Sequence, residues 1–324
     1  MALDIKKPLS KRRFLQIVGI SYTGLHSLLA FSKNELIKIK KNGRLLGTDA
    51  QITIFCDSKE KGELILDKCF YEVKKLELIF SLYKDNSVIS QLNKYGEIHD
   101  YPKEFRELIE IALKFSKFSN GVFDITVQPL WKLYESHYSL ENNANTVIND
   151  SKIKNVLKKV NYKKVLIENK KIFFKDDDMS ITLNGIAQGY ITDKVTEILS
   201  DFGISKTLVN MGEYRALGSK NNGDGWKIGI VNPDQTWRIS KILPLQNMSV
   251  ATSGGYGHYF DRNVKTHHIF NPKSGKNDNF YKSVTVKAKT ATIADGLSTT
   301  LFATNEKFHK QIINNFKNIE VIYI

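Results

Sequence analysis

Two cysteines, Cys56 and Cys69, are all that the 324 residues contain. They fall in a predicted strand and a predicted helix. Two such thiols cannot build a disulfide framework, and no histidine stands at zinc-motif spacing from them. Long apolar runs are missing as well. The best stretch, Ile17 to Phe31, is broken by Ser21, Tyr22, Thr23 and His26. It falls short of the roughly 20 apolar residues that a spanning helix needs. No repeat at solenoid period occurs. There is no G-K-[ST] phosphate loop and no G-x-G-x-x-G turn, which leaves the common nucleotide folds without support. Arginine is scarce beside lysine and asparagine.

What is present is ordinary globular composition, 41% hydrophobic and 25% charged, which excludes a disordered, collagen-like or coiled-coil chain. The net charge of +14 invites a nucleic-acid reading. Its distribution argues against one. Residues 1–44 hold ten basic residues against two acidic ones, so +8 of the +14 sits there. Aromatics are not interleaved with a basic stripe elsewhere, and no nucleic-acid partner is expected.

The first residues read as a targeting segment. Ser10-Lys11-Arg12-Arg13-Phe14-Leu15-Gln16 resembles the twin-arginine export motif S-R-R-x-F-L-K, with Lys11 in place of the first arginine. Ser27-Leu28-Leu29-Ala30 is a poor cleavage site, so the segment can remain as a membrane anchor. The expected organisation is a leader at 1–31, a basic junction at 32–44 and one large domain at 45–324. The expected location is the periplasm or the outer face of the cytoplasmic membrane.

Along the domain, Gln51–Cys56 alternates as a strand. Leu66, Cys69, Val73, Leu76 and Phe80 recur at helical spacing. Phe105, Leu108, Ile109 and Ala112 mark a second helix, stopped by Asn120-Gly121. Residues 135–150 read as a polar surface loop. Residues 163–168 and 171–175 read as a hairpin, and Ile191 to Phe202 as a helix ended by Gly203. Short strands follow at 206–210, 226–231, 241–245 and 283–288. A helix starts near Ala294, another covers about 306–316, and 319–323 closes as a strand. Helices and strands mix without β-α-β alternation, so the expected class is α+β, with mixed or antiparallel sheets and packed helices in a single large domain.

Four stretches could carry chemistry. On a helix, Asp295 and Thr299 are i,i+4 neighbours, offering two hard oxygens of the kind Mg²⁺ takes. Equally, Asp295 could be a helix cap. Residues 182–190 form a small-residue turn into a helix, where backbone can approach an anion. Residues 251–257 are Gly-rich. His268 follows in His268-Ile269-Phe270-Asn271-Pro272. The run Asp176-Asp177-Asp178 reads as a solvated turn.

Together these stretches resemble the FAD:protein FMN transferase (ApbE-type) family. Leu46-Gly47-Thr48 stands for M-G-T. Ser81-Leu82-Tyr83 and the residues from Ser87 to Asn93 resemble S-x-Y…S-x-I-S-x-L-N. Residues 121–130 match G-x-F-D-[IV]-T-V-x-P-L, and 182–189 resemble D-L-G-G-I-A-K-G. Ala251-Thr252-Ser253-Gly254 matches A-T-S-G, 268–275 resemble H-I-[IF]-D-P-x-[ST]-G, 283–286 match S-V-T-V, and 294–299 resemble A-D-A-L-A-T.

The resemblance implies Mg²⁺-dependent transfer of the FMN half of FAD to a Ser or Thr hydroxyl of an exported or membrane redox protein, with release of AMP. It implies Mg²⁺ on Asp295, Thr299 and the carbonyl of Gly185. It implies FAD contacts from Leu46, Tyr83, Asp124, Ile125, Thr126, Thr182, Gln188 and Ile269. His268 stands at the candidate catalytic histidine, and Asp295 joins it. FAD hydrolysis to FMN and AMP, or FAD binding without catalysis, are the alternatives. Thr182 replaces the usual Asp, Gln188 the usual Lys or Glu, and Asn271 an Asp. Asn210-Met211-Gly212-Glu213 is about one residue shorter than N-[IV]-G-G-D. The Asn184–Gly189 turn with the export-like start resembles the exported branch linked to nitrous-oxide-reductase maturation.

Overall fold

A computed structural model describes residues 36–45, 47–140, 146–261, 266–277 and 280–324. The twin-arginine-like leader and Leu46 lie outside the described residues. So does the first part of the basic junction.

The chain opens on strands β1 (Ile37–Leu45) and β2 (Thr48–Cys56), then helices α1 (Lys59–Phe80) and α2 (Val88–Tyr95). Strand β3 (Glu97–His99), α3 (Lys103–Phe118), α4 (Gln128–Tyr138) and α5 (Asp150–Leu157) follow. Next come β4 (Val165–Glu168), β5 (Lys171–Phe174), α6 (Ala187–Asp201), β6 (Thr207–Asn210) and β7 (Tyr214–Leu217). The chain then runs through β8 (Trp226–Asn232), β9 (Gln235–Leu245), β10 (Ser249–Gly254), β11 (Ser283–Ala288), α7 (Ala291–Phe302), α8 (His309–Ile313) and β12 (Glu320–Tyr323).

Seven strands form the main sheet in the order β1-β2-β6-β7-β10-β11-β12, each pair antiparallel. The period of two sends alternate side chains to opposite faces. Ile52 and Ile54 join the large core under α1, α6 and α7, while neighbouring Phe55 packs with Trp226, Ile228 and Leu243 of the β8–β9 hairpin. In β10, Ala251 faces the first core and Val250 the second. The sheet is thus covered on both faces, which gives the α+β class with antiparallel sheets and packed helices. A small sheet, β3-β5-β4, stands apart.

Helix α1 buries Leu66, Cys69, Val73, Leu76 and Phe80, the residues its periodicity selects. Ser58 caps it by accepting from the Lys61 N–H at 3.3 Å. Both cysteines are buried free thiols.

Several expectations are corrected. Residues 37–45, most of them assigned to a basic junction, form an edge strand paired along its length with β2. Lys38, Lys40 and Arg44 alternate with residues that include buried Ile39 and Leu45, so the charge hid a strand. The loop expected at 135–150 is helical at both ends, to Tyr138 and again from Asp150. Helix α6 starts at Ala187 rather than Ile191. The helix expected over 306–316 breaks into a 3-10 turn and the short α8.

Candidate functional site

Four stretches distant in sequence meet around the start of α7. This helix begins at Ala291, not near Ala294, and its N-cap is Thr290, whose side chain accepts from the Ile293 N–H at 3.3 Å. Asp295 is therefore inside the helix, and the capping alternative falls. Ten of the twelve residues of α7 are buried.

Asp193 of α6 fixes the start of α7. Its carboxylate accepts from the Ala291 N–H at 2.8 Å, the Thr292 N–H at 2.9 Å and the Thr292 hydroxyl at 2.6 Å. Arg215 of β7 pairs with the same carboxylate. Asp193 thus serves donors that a helix start leaves without partners.

Asp295 is 4% exposed, and its Oδ2 accepts the Gly189 N–H at 2.9 Å. Helices α6 and α7 touch here. A Cβ on Gly189 would come within 2.4 Å of the Ala291 carbonyl oxygen and 2.7 Å of the Asp295 Cβ, so this contact requires glycine. One turn on, Thr299 lies against Gly185, whose Cβ position is 3.0 Å from Thr299 Cγ2 and 3.3 Å from its Oγ1. The Ser253 hydroxyl at the end of β10 is 2.9 Å from Ser298 Oγ and 3.2 Å from Thr299 Oγ1. Gln188 reaches back to the β1–β2 turn, donating to the Thr48 hydroxyl at 3.1 Å, and lies over Gly212. The three residues expected around Mg²⁺ thus converge, with Gln188 and Thr48 beside them.

Asp124, Ile125 and Thr126 sit one layer behind. Asp124 Oδ1 accepts from the Thr126 N–H at 2.8 Å and hydroxyl at 2.6 Å, and Oδ2 from the Tyr162 N–H at 3.0 Å. The Ile125 carbonyl accepts from the Thr182 N–H at 2.8 Å. Burial pushes the Asp124 carboxyl up. The carboxylate is engaged in holding Thr126 and Tyr162, while the Ile125 carbonyl ties this segment to the 182–189 turn. Thr182 is half-buried and accepts from the Asn184 N–H at 3.2 Å. Tyr83 is 77% exposed, a free aromatic face.

His268 follows an isolated bridge between Tyr259 and His267 and lies beside the Gly255–Gly257 turn. Its Nδ1 is 3.1 Å from the His258 carbonyl oxygen. A carbonyl can only accept, so Nδ1 carries the proton and Nε2 offers a lone pair. Burial drives its pKa down to about 4, keeping the ring neutral at pH 7. Ile269 donates its N–H to His267 Nδ1 at 3.2 Å, and its carbonyl accepts from Asn277 at 2.8 Å.

Two carboxylates share the interior of the site. Burial raises Asp295 to about 7, with the charge of Asp193 adding to it against the Gly189 N–H. Glu213, in the β6–β7 turn, is 9% exposed; burial and then the charge of Asp295 raise it well above the usual range, against the Thr252 N–H. Sequence reasoning missed Glu213, Asp193 and Arg215. Only Glu213 left a trace, as the shortened Asn210–Glu213 turn.

This has a pH consequence. The folded pKa of Asp295 lies above its ordinary 3.8. The stability tied to that proton is complete below about pH 4 and is lost as pH rises through about 7. In EDTA, Asp295→Asn should equal the unsubstituted chain at low pH and exceed it at pH 8. The gap should be on the order of 1 kcal/mol or more, since a tenfold change in proton affinity is worth about 1.4 kcal/mol. Urea unfolding at the two pH values checks this; parallel stabilities at both would contradict it.

The donor set suits Mg²⁺: a carboxylate, a hydroxyl and a backbone carbonyl, all hard oxygens. Among the described residues no group of three or more His, Cys, Asp and Glu side chains is arranged to hold a metal, so hydroxyl and backbone oxygens would have to contribute.

The model of the ApbE family matches residues 46–323. An FAD:protein FMN transferase of Buchnera aphidicola is 30% identical over 87% of this chain and 83% of its own. One of Haemophilus influenzae is 27% identical over 90% of this chain and 87% of its own. Among solved structures, the ApbE protein of Thermotoga maritima superimposes with a TM-score of 0.78 at 28% identity, covering 89% of this chain and 94% of that one. None of these similarities bears on nitrous-oxide-reductase maturation.

Proposed function

The chain belongs to the ApbE family, and on that premise we propose that it transfers the FMN half of FAD to a Ser or Thr hydroxyl of an acceptor protein and releases AMP. One observation carries this reading. The start of β2 at Thr48, the turn at 182–189, the end of β10 and the start of α7 are tied together through Gln188–Thr48, Gly189–Asp295 and Ser253–Thr299.

In this reading Asp295, Thr299 and the Gly185 carbonyl hold Mg²⁺. The ion, when bound, would neutralise and polarise the FAD diphosphate. Thr182 and Gln188 contact FAD as neutral hydrogen-bonding groups. Because the Asp124 carboxylate is engaged internally, contacts from 124–126 fall to the backbone. Tyr83 offers an exposed ring for stacking, and Leu46 and Ile269 complete the FAD contacts. The acceptor oxygen attacks the FMN phosphorus in line. The bond from that phosphorus to the bridging oxygen breaks, and AMP departs with it. The proton of the attacking hydroxyl passes to Nε2 of His268, whose neutral lone pair is available across the physiological range. The rest of the catalysis is positioning. On this reading the leader carries the enzyme to the exported side, where its redox-protein acceptor resides.

His268→Gln should lower kcat by about 10²–10⁴-fold, the scale of general base catalysis, with FAD affinity little changed. Flavin fluorescence titration and AMP release would check the split; an unchanged kcat would exclude the role. The function itself is tested by incubation with FAD, Mg²⁺ and a candidate acceptor. A fluorescent acceptor band and free AMP are expected. FMN and AMP without a labelled acceptor would mean hydrolysis, and intact FAD would mean binding alone.

A further inference from the structure

The β8–β9 hairpin contributes nothing to the site above, yet it carries an exposed apolar face. Trp226, Ile228 and Ile230 of β8 are buried on the main sheet, so the alternate residues Lys227, Gly229 and Val231 face outward. Pro244, Ile242 and Ile239 of β9 stand opposite them. Ile239 belongs to this face because the register shifts between Ile230 and Val231. Without that bulge, its even spacing from buried Leu243 would turn it inward. Its side chain lies across Gly229, where a Cβ would meet Ile239 Cδ1 at 2.8 Å. Ile239 and Ile242 are 55% and 58% exposed, and Trp237, nearer the tip, is 83% exposed. The hairpin is fastened at both ends. At its base Trp226 packs on Phe55 with ring centroids 6.1 Å apart, and at its tip Asp234 pairs with Lys282 at 2.6 Å.

Charge names the occupant of this face. Asp234 is the hairpin's only carboxylate, and Lys282 takes it. Lys227, Arg238 and Lys241 are exposed. An indole and aliphatic side chains beside lysine and arginine suit the headgroup level of an anionic bilayer. The chain also enters the domain here. The Leu36 carbonyl accepts from Asn221 Nδ2 at 3.3 Å, and Asn221 stands in the loop that leads into β8. The residues before Leu36 include the segment whose sequence reads as an export leader and membrane anchor. We propose that the outer face of the β8–β9 hairpin is a docking surface for an anionic lipid bilayer. Trp237, Ile239 and Ile242 enter the interface, and Lys227, Arg238 and Lys241 meet the headgroup phosphates. This inference does not depend on the transfer reaction.

The test uses the full chain and phosphatidylcholine vesicles with or without phosphatidylglycerol, their acyl chains brominated to quench tryptophan. Trp226 is buried and Trp131 half-buried, which leaves Trp237 as the indole open to lipid. Anionic vesicles should quench the emission and neutral ones should not. Trp237→Phe should lose most of the quenching while still sedimenting with the vesicles. Lys227→Ala, Arg238→Ala and Lys241→Ala should each shift the lipid dependence of quenching about fivefold towards more lipid. Added salt should shift it in the same direction. Ile239→Ser, at an exposed position, should weaken the quenching as well. If the chain sediments with anionic vesicles but its emission is not quenched, the leader alone holds it and the hairpin is no docking surface. Binding to neither vesicle, or equal quenching by both, would also overturn the proposal. So would an emission shift that follows protein concentration without lipid, which would make this face a contact between two copies of the chain.

Discussion

Asp295→Ala should abolish flavin transfer and leave the chain folded. The carboxylate is buried one turn inside α7, fixed by the Gly189 N–H at 2.9 Å, and stands on the same helix face as Thr299. Removing it takes away the charged oxygen that would hold Mg²⁺ on the FAD diphosphate. Metal stabilisation of a transferring phosphoryl group is worth several kcal/mol. At about 1.4 kcal/mol per tenfold, that is a loss of at least about a thousandfold in rate. The fold should survive because the start of α7 is secured by Asp193 and Thr290, not by Asp295. AMP release and acceptor fluorescence measure the rate, and circular dichroism the fold. Turnover within tenfold of the unsubstituted chain would reject Asp295 as the ligand.

The largest stability loss is expected one layer away, at Asp193→Ala. Its carboxylate accepts three hydrogen bonds from Ala291 and Thr292 and pairs with Arg215, both partners being mostly shielded from water. Alanine leaves two helix N–H groups without their acceptor and a guanidinium without its charge partner. Breaking a buried pair on one side costs about 3–5 kcal/mol. At roughly 2–4 °C per kcal/mol for a chain of this order, the melting temperature should drop by about 10 °C. Transfer activity should also fall, because the start of α7 sets where Asp295 and Thr299 stand. A melting temperature within a degree or two of the unsubstituted chain would show that the start of α7 is held by something else.

The contrast between these two aspartates shows what a single sequence reveals. Asp295 was legible because its partner Thr299 is four residues away and the pair has the oxygen chemistry of a Mg²⁺ site. Asp193 was invisible. The donors that its carboxylate serves, Ala291 and Thr292, are nearly a hundred residues on, and a lone aspartate within a helix carries no local signal. Glu213 left only an irregular turn, because the burial that sets it apart exists only in the folded sheet. Gly189 stood inside the family-like turn, but its need for a missing Cβ depends on how α6 packs on α7.

Fold elements divide in the same way. Helix α1 announced itself because five apolar residues share one stripe against the sheet. Strand β1 did not, because Lys38 and Lys40 supplied the polar half of its alternation and read as part of a basic stretch. Helix α4 was missed because its buried face is only Gln128, Leu130 and Tyr134. That stripe is too thin to stand out among polar neighbours. The α+β class survived these misses because it rests on the mixed order of elements, not on any one boundary.

The central claim is that the site moves FMN from FAD to a protein hydroxyl, and mass spectrometry of an acceptor tests it most directly. After incubation with FAD and Mg²⁺, one Ser or Thr of the acceptor should carry FMN through a phosphoester, with one AMP released for each FMN attached. An acceptor of unchanged mass beside accumulating FMN and AMP, or beside intact FAD, would contradict it.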